Sequence, residues 1–301
     1  MLEPTAEAPP TEFRAVASLA LREAAEQCGL KTRDARLMRL FATAVFHLPE
    51  ADAVARVAPV TGIDTVTQLD TSVRVTRWLN DIGFPSVESL PVDQPVTSHR
   101  CVVTFWRYLP QRGPAPKPAD LGGLLRQLHR LGPPPVRLPA HRPLTGVRHA
   151  IQSSQAVSDD ERTWLSDHCQ QLQDAYDGLA FALPTGIIHG DAYRGNLLRS
   201  GHDVVLADWD AVSSGPREID LIPTMQATRF GLRADERDAF IAVYGHDIRR
   251  WAGYQTLHDI RELSTTSALL RDAHLDATGY RELQVRLRSL RTGDDRSWTA
   301  F

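Results

Sequence analysis

The sequence is short of lysine and of cysteine, and each shortage narrows the possibilities. Only Lys31 and Lys117 of its 34 basic residues are lysines, so a side chain that grips an anionic ligand is expected to be an arginine. The three cysteines, Cys28, Cys101 and Cys169, lie far apart and are odd in number. They indicate reduced thiols in a cytoplasmic protein and argue against a disulfide-stabilised fold.

Long apolar runs and a surplus of basic charge are also missing. No run approaches the roughly 20 apolar residues that span a membrane, and residues 1–10 contain acidic but no basic side chains, unlike a secretory signal. The formal net charge is −3, without clustered basic runs. We therefore expect neither nucleic acid nor a membrane as a partner. The sequence indicates no particular oligomeric state.

Hydrophobic patterns divide the 301-residue chain into two regions of different character. The first predicts a helix over 12–28, two apolar strands within 40–58, a helix over 68–82 and further strand over 96–109. A proline-rich loop follows. The second region predicts helices, at 121–131, 159–179, 234–251, 254–272 and 276–291. The expected fold class is α+β, with a small antiparallel sheet followed by a larger, mostly helical region.

The segment with the most chemistry is 189–196, which reads HGDAYRGN. An apolar strand leads into it, and a second one, 204–207, delivers Asp208 soon afterwards. Only four residues separate Asp191 from Asn196, so both side chains are expected to face one cavity. A carboxylate that accepts a hydroxyl proton, with an amide and a second carboxylate that hold Mg²⁺, is the set that phosphoryl transfer requires. The alternative is a turn with capping residues.

Segments 189–196, 204–210 and 215–221 together resemble the aminoglycoside phosphotransferase family of small-molecule kinases. Upstream, 44–57 is similar to the family's first strands and 73–85 to its crossing helix. The resemblance implies a two-lobed, protein kinase-like fold. It also implies transfer of a phosphoryl group from ATP or GTP to a hydroxyl.

The resemblance further implies a division of labour between two domains. Residues 1–109 would form an N-terminal nucleotide-binding lobe, and residues 110–301 a C-terminal lobe for catalysis and substrate binding. Trp106 and Tyr108 would lie at the hinge, where they either contact the purine or belong to the core.

The resemblance also assigns roles to individual residues. Asp191 would be the general base or the orienting carboxylate for the acceptor hydroxyl, while Asn196 and Asp208 would coordinate Mg²⁺ on the phosphates. Arg56 occupies the strand position of the phosphate-binding cation, which agrees with the shortage of lysine. The alternative for Arg56 is a solvated strand residue.

Three further residues near the motif are expected to have supporting roles. His189 is interpreted as a structural hydrogen-bonding residue behind the loop, and Asp220 as a brace for the loop or a cap of the next helix. Asp210 either assists the metal or is an acidic turn residue.

Two departures from the family pattern concern the nucleotide side of the site. The crossing helix usually begins with a glutamate that pairs with the phosphate-binding cation, but Ser72 stands there, with Asp70 as an imperfect substitute. The turn at 41–43 has no glycine-rich signature for cradling phosphates. Both departures weaken the nucleotide-binding half of the predicted site and leave its catalytic half intact.

The C-terminal residues give one indication about the acceptor. Residues 226–301 contain twelve arginines and eleven acidic residues, whereas a polycationic aminoglycoside favours an acidic cleft. The candidate substrate residues share one predicted helix or its start: Trp251, Tyr254, His258, Asp259 and Glu262. They suit a neutral or partly aromatic hydroxylated ligand, although core packing explains the aromatic residues equally well.

Three functions remain open from the sequence. The first is an ATP- or GTP-dependent kinase that phosphorylates an antibiotic or another natural product. The second is a metabolic kinase for an amino alcohol or a sugar. The third is a catalytically weak kinase-like binding protein, which the serine at position 72 motivates, and against which the presence of Asp191, Asn196 and Asp208 argues.

Overall fold

The computed structural model describes residues 10–62 and 64–300 and divides into two compact units. The first, here called the sheet unit, comprises the described residues of three segments, Met1–Ala115, Pro134–Arg137 and Leu197–Val212. The second, the helical unit, comprises those of Pro116–Pro133, Leu138–Asn196 and Ser213–Phe301. Of the motif residues, Asp191 and Asn196 belong to the helical unit and Asp208 to the sheet unit.

Within its described residues, the sheet unit contains a five-stranded antiparallel sheet and two long helices. The strands are β1 (Arg36–Leu40), β2 (Ala44–Leu48), β3 (Ala53–Pro59), β4 (Val96–Ser98) and β5 (Cys101–Arg107). They pair in the order β1-β2-β3-β5-β4. The helices are α1 (Pro10–Gln27), which precedes the sheet, and α2 (Thr65–Asp81), which connects β3 to β4.

Alternation along β3 separates a buried apolar face from the face that carries Arg56. Ala53, Ala55 and Val57 are fully buried in a cluster with small residues of α1 such as Ala20. Because neighbouring residues of a strand point to opposite faces, Arg56 lies on the other side of the sheet. The strand thus contributes to the core with one face and offers a cation on the other.

A short hairpin in the sheet unit positions Asp208. It consists of β7 (Leu197–Ser200) and β8 (Asp203–Leu206). The Leu206 N–H donates to the Pro85 carbonyl at 3.0 Å. In the turn that follows, Trp209 is 1% exposed and packs edge-on against Phe84, with ring centroids 6.0 Å apart. Asp208 lies between the anchored strand and this buried tryptophan.

The helical unit contains seven α-helices and one strand pair within its described residues. The helices are α3 (Pro118–Leu128), α4 (Thr145–Ser153), α5 (Asp159–Asp177), α6 (Ile222–Gln226), α7 (Ala234–Tyr244), α8 (Tyr254–Asp272) and α9 (Ala277–Thr292). Strands β6 (Thr185–Ile188) and β9 (Ser213–Pro216) pair antiparallel. Helices α3 and α7 pack closely at Gly122, where a β-carbon would lie 2.7 Å from the Phe240 carbonyl oxygen.

The fold class predicted from the sequence is confirmed, with local corrections. The helix predicted over 234–251 is too long, because α7 ends at Tyr244 and Gly245 adopts a left-handed φ of 91°. The strand predicted over 96–109 is two strands, since His99 and Arg100 form a left-handed turn. Strands β1 and β9 and helices α4 and α6 were not predicted. Within the described residues, no helix has the length and apolar character to cross a membrane.

Candidate active site

The loop that carries Asp191 is held from behind by a buried carboxylate. Asp220 is fully buried, and its two oxygens accept the backbone N–H groups of His189 at 2.7 Å and Gly190 at 2.8 Å. A third bond joins it to His129 Nε2 of α3 at 3.0 Å. Burial alone would raise the pKa of Asp220, but the hydrogen bond and charge of His129, together with His189, outweigh it and hold the pKa below the ordinary value. Asp220 therefore braces the loop as an ionised carboxylate.

Two side chains of the loop itself support the Asp191 backbone. His189 is fully buried, and its Nδ1 accepts the Asp191 N–H at 3.3 Å. Asn196 is 6% exposed and donates from Nδ2 to the Asp191 carbonyl at 2.9 Å. Because the amide nitrogen is used in this bond, the carboxamide oxygen of Asn196 is the atom left to bind a ligand.

The Asp191 carboxylate forms an ion pair with a residue that the sequence analysis did not identify. Arg261 of α8 donates from Nη1 to Asp191 Oδ1 at 2.9 Å. The Asp191 side chain is 41% exposed and the Arg261 side chain 23%. Arg261 is one of twelve arginines after residue 225 and belongs to no local motif, so no sequence signal distinguishes it.

In the sheet unit, Arg56 is shared between two carboxylates. Its Nη1 lies 2.9 Å from Asp208 Oδ1, and its Nη2 lies 2.8 Å from Asp210 Oδ2. Burial would lower the pKa of Arg56, but the charges of Asp210 and Asp208 outweigh it and raise the pKa. The cluster thus consists of one guanidinium and two carboxylates. Arg56 is thus not a solvated strand residue, since its side chain is only 16% exposed.

Asp210 fills the place of the glutamate that the crossing helix does not have. The Ser72 hydroxyl donates to Asp210 Oδ1 at 3.4 Å, and Gln68 Nε2 donates to the Asp210 carbonyl at 2.6 Å. Helix α2 therefore holds the carboxylate that pairs with Arg56, although it does not supply it. Asp70, the substitute considered from the sequence, lies 3.6 Å from Arg74 instead.

The backbone of Asp208 is in the left-handed region, with φ 65° and ψ 62°. For a residue other than glycine this conformation costs about 1–3 kcal/mol and is concentrated at functional positions. The β8 hairpin and the buried Trp209 enforce it. The strained position therefore coincides with the carboxylate singled out as a metal ligand.

The two aromatic residues proposed for the hinge have different surroundings. Trp106 is 6% exposed, and its indole N–H donates to Thr104 Oγ1 at 2.9 Å, which favours the core alternative for this ring. Tyr108 is partly buried and stacks on His47, with ring centroids 3.9 Å apart. Tyr108 thus keeps one ring face against the sheet.

A cavity of about 120 Å³ lies beside the Asp191 loop in the helical unit. Its walls come from the loop before α4, the Asp191 loop, the segment around α6, and α8. The lining residues are His141, Pro143, Gly190, Ile219, Ile222, Pro223, Leu257, Ile260, Arg261 and Ser264. The substrate residues proposed from the sequence lie on α8 or just before it, and α8 lines this cavity.

The five residues proposed to contact the substrate lie outside the lining of this cavity. Trp251 stacks on Phe181 at 5.6 Å, and Glu262 is 5% exposed and accepts from Arg229 Nε at 2.5 Å. Tyr254 and His258 pack on each other, and Asp259 accepts from Gln255. At 100° per residue, Leu257, Ile260, Arg261 and Ser264 form one stripe of α8, and His258, Asp259 and Glu262 lie on another.

The similarities to known proteins are of two kinds, in sequence and in fold. The chain matches the model of the phosphotransferase enzyme family over residues 39–257, and no curated protein sequence matches it. Among solved structures it is similar to the amicoumacin kinase hAmiN in complex with AMP-PNP, Ca²⁺ and Ami. The identity is 11% and the TM-score 0.72, with 96% of this chain and 98% of that chain covered.

Two further structures show the same fold. Spectinomycin phosphotransferase APH(9)-Ia, in complex with ADP and spectinomycin, is 12% identical with a TM-score of 0.62, over 92% of this chain and 98% of that chain. The microcompartment-associated aminopropanol kinase is 14% identical with a TM-score of 0.66, over 90% and 94%.

These likenesses confirm the protein kinase-like fold. The family match contributes more than the fold, because it includes strand β3 with Arg56, the loop with Asp191 and Asn196, and the β8 hairpin with Asp208. The resemblance found in the sequence is therefore confirmed, and the chain belongs to the phosphotransferase enzyme family.

Proposed function

We propose that the protein is a small-molecule kinase that transfers the γ-phosphoryl group of ATP or GTP to a hydroxyl of an antibiotic or another natural product. Family membership supports phosphoryl transfer. The observation that carries the proposal is the Asp191 loop, where a partly exposed carboxylate stands on a backbone held by Asp220, His189 and Asn196. A catalytic base requires a fixed position and an accessible oxygen, and Asp191 has both.

In this proposal Asp191 accepts the proton of the acceptor hydroxyl, while the oxygen of that hydroxyl forms a bond to the γ-phosphorus. The bond between the γ-phosphorus and the bridging oxygen breaks, and the nucleoside diphosphate leaves. The proton then passes from Asp191 to solvent. The role of the protein is to align the hydroxyl and to neutralise charge, since phosphoryl transfer depends mainly on positioning and electrostatics.

Asn196 and Asp208 are assigned as ligands of Mg²⁺, which when bound would neutralise charge on the β- and γ-phosphates. A carboxamide oxygen and a carboxylate fit a hard cation, and the bond from Asn196 Nδ2 to the Asp191 carbonyl leaves the correct atom available. The assignment rests on these residue types and on their motif positions. The AMP-PNP and Ca²⁺ of hAmiN and the ADP of spectinomycin phosphotransferase support a nucleotide and a divalent cation.

The sheet unit is assigned to the nucleotide and the helical unit to catalysis and the acceptor. Arg56 is the proposed phosphate-binding cation, and a phosphate would replace one of the two carboxylates that now share its guanidinium. Tyr108 and the backbone beside Trp106 are the proposed purine contacts. His189 and Asp220 are structural supports of the catalytic loop.

A second candidate is a metabolic kinase for an amino alcohol, which the likeness to the aminopropanol kinase favours. A binding protein without turnover is the weaker alternative, because Asp191, Asn196 and Asp208 are all present. Incubation with Mg-ATP or Mg-GTP and a panel of hydroxylated antibiotics, amino alcohols and sugars tests all three, with phosphorylated products detected by mass spectrometry. We expect a product from the wild type and none from Asp191→Asn. Equal product from both proteins would refute the role of Asp191.

A further inference from the structure

The cavity beside the Asp191 loop has an unusual charge for a site that would receive an amine. Most of its wall is apolar, and among its described lining residues Arg261 carries the one formal charge at neutral pH. His141 does not add a second charge, because burial lowers its pKa more than the charge of Asp220 raises it. The carboxylates of Asp259 and Glu262 lie outside the lining. The lining is therefore mainly apolar, and its one charged side chain is a cation that is paired with Asp191.

Arg261 has hydrogen-bonding capacity that the protein leaves unused. Its Nη1 is bonded to Asp191, but its Nε is buried and has no hydrogen-bond partner within the described structure. A buried donor without a partner is unfavourable. In addition, the bond from Arg261 occupies Asp191 Oδ1, an oxygen that the acceptor hydroxyl would have to reach. An anionic group on the acceptor resolves both conditions, because it draws the guanidinium from Asp191 Oδ1 and accepts its free N–H groups.

We propose that the acceptor is an apolar hydroxy acid, whose carboxylate binds Arg261 and whose hydroxyl donates to Asp191. This inference rests on the proposed function and specifies its substrate class. The 2.9 Å separation between Arg261 Nη1 and Asp191 Oδ1 requires the carboxylate and the hydroxyl to be only a few bonds apart. Ile219, Ile222 and Leu257 receive the apolar body. An amine in place of the carboxylate would meet the guanidinium of Arg261, and the one carboxylate beside it, Asp191, is the group that receives the hydroxyl.

The test uses three probes that share one chain and one hydroxyl position: 3-hydroxyoctanoate, its methyl ester and 1-aminooctan-3-ol. Phosphorylation of each is measured with Mg-ATP for the wild type, Arg261→Gln, Arg261→Lys and Arg261→Glu. We expect the wild type to prefer the acid. Arg261→Gln should lower kcat/KM for the acid about 10- to 100-fold without lowering it for the ester, as expected for a lost charged hydrogen bond. Arg261→Lys should retain part of the preference, and Arg261→Glu should shift it to the amine.

Arg271→Gln, on the same helix, is the matched control and should leave all three values unchanged. Preference of the wild type for the ester or the amine, or an acid preference that survives in Arg261→Gln, overturns the inference. Failure to phosphorylate the acid also overturns it if nucleotide hydrolysis that depends on Asp191 is present, since the kinase itself is then active. If that hydrolysis is absent as well, the proposed function fails together with the inference. Thermal unfolding of each variant separates loss of contact from loss of fold.

Discussion

The two units hold their charged residues in contrasting ways. In the helical unit, Asp220 binds backbone N–H groups of the Asp191 loop and is fully buried. In the sheet unit, Arg56 binds the side chains of Asp208 and Asp210, whose carboxylates remain 31% and 25% exposed. The first arrangement fixes a stretch of chain, whereas the second joins side chains to one another.

This difference corresponds to what each half of the proposed reaction needs. A base must remain in one place, because a misplacement of about 1 Å can cost a large part of the rate. A nucleotide and its metal must enter and leave. While they are absent, the charged side chains that bind them have to pair with each other, so that no buried charge is left uncompensated. Mutations should therefore be able to separate the effects of a fixed base from those of an exchangeable phosphate-binding cluster.

The largest effect is expected from Asp191→Asn, which removes the base and keeps its shape. Loss of general base catalysis reduces rates by about 10²–10⁴-fold, and the fold should persist because the side chain is 41% exposed. The measurement is kcat for the phosphorylated acceptor, with the midpoint of thermal unfolding alongside. Asp203→Asn, on the exposed edge of β8, serves as control. A kcat within twofold of the wild type would contradict the assignment.

Asp220→Asn should reduce stability more than any change in the Arg56 cluster. An asparagine has one acceptor oxygen for the two loop N–H groups, and the loss of a buried, paired charge costs about 3–5 kcal/mol. Urea unfolding measures this loss as a lower midpoint at unchanged slope. Asp210→Asn, whose partner Arg56 keeps Asp208, should lose less than half as much. Equal losses would mean that the two clusters are equally rigid.

Asp210→Asn should act on the nucleotide and spare the acceptor. With the bidentate partner of Arg56 weakened, KM for ATP is expected to rise about tenfold, the size of one charged hydrogen bond, at unchanged acceptor KM. Ser72→Glu in the same protein should recover part of the loss, because it returns a carboxylate to α2. Ser72→Asp is the smaller version if the longer side chain lowers the unfolding temperature.

Asp70→Asn is the control for this pair, since Asp70 contacts the exposed Arg74 and not Arg56. If Asp70→Asn raised the KM for ATP as much as Asp210→Asn does, Asp210 would not be the specific counter-ion of Arg56. Failure of both substitutions at position 72 to recover nucleotide binding, in proteins that fold, would show that the position of the carboxylate matters more than its presence.

Local patterns were enough to predict the elements that bury a regular apolar face. Strand β3 and helix α3 are of this kind. Strand β1 was missed because its residues alternate poorly, with Arg36 and Arg39 exposed on a sheet edge. Helix α6 was missed because its five residues are all buried and have no polar face to set a period. Amphipathic periodicity identifies elements that have one buried and one exposed face. It does not identify a fully buried helix or an exposed strand at the edge of a sheet.

The candidate site follows the same rule. Asp191, Asn196 and Asp208 were identified because they lie within 18 residues in one motif. Arg261 is 70 residues from Asp191 in sequence, His129 is 91 from Asp220, and Asp210 is 154 from Arg56. These pairs are made by tertiary packing, which a single sequence does not display. The sequence pointed to α8, which lines the cavity, but the residues proposed from the sequence lie on another stripe of this helix, since aromatic residues of α8 were favoured over Leu257 and Ile260.

The smallest expected effect is the pH dependence of the stability that Asp220 contributes. Because the folded-state pKa of Asp220 is lowered, its stabilisation is fully present above the pKa of an unfolded aspartate, near 3.9, and is lost as the pH falls through the folded value. The difference in unfolding free energy between the wild type and Asp220→Asn should therefore be constant from about pH 7 to pH 5 and shrink below about pH 4. Urea titrations at each pH measure it. A difference that stayed constant down to pH 3 would mean that Asp220 supports the loop through shape and not through charge.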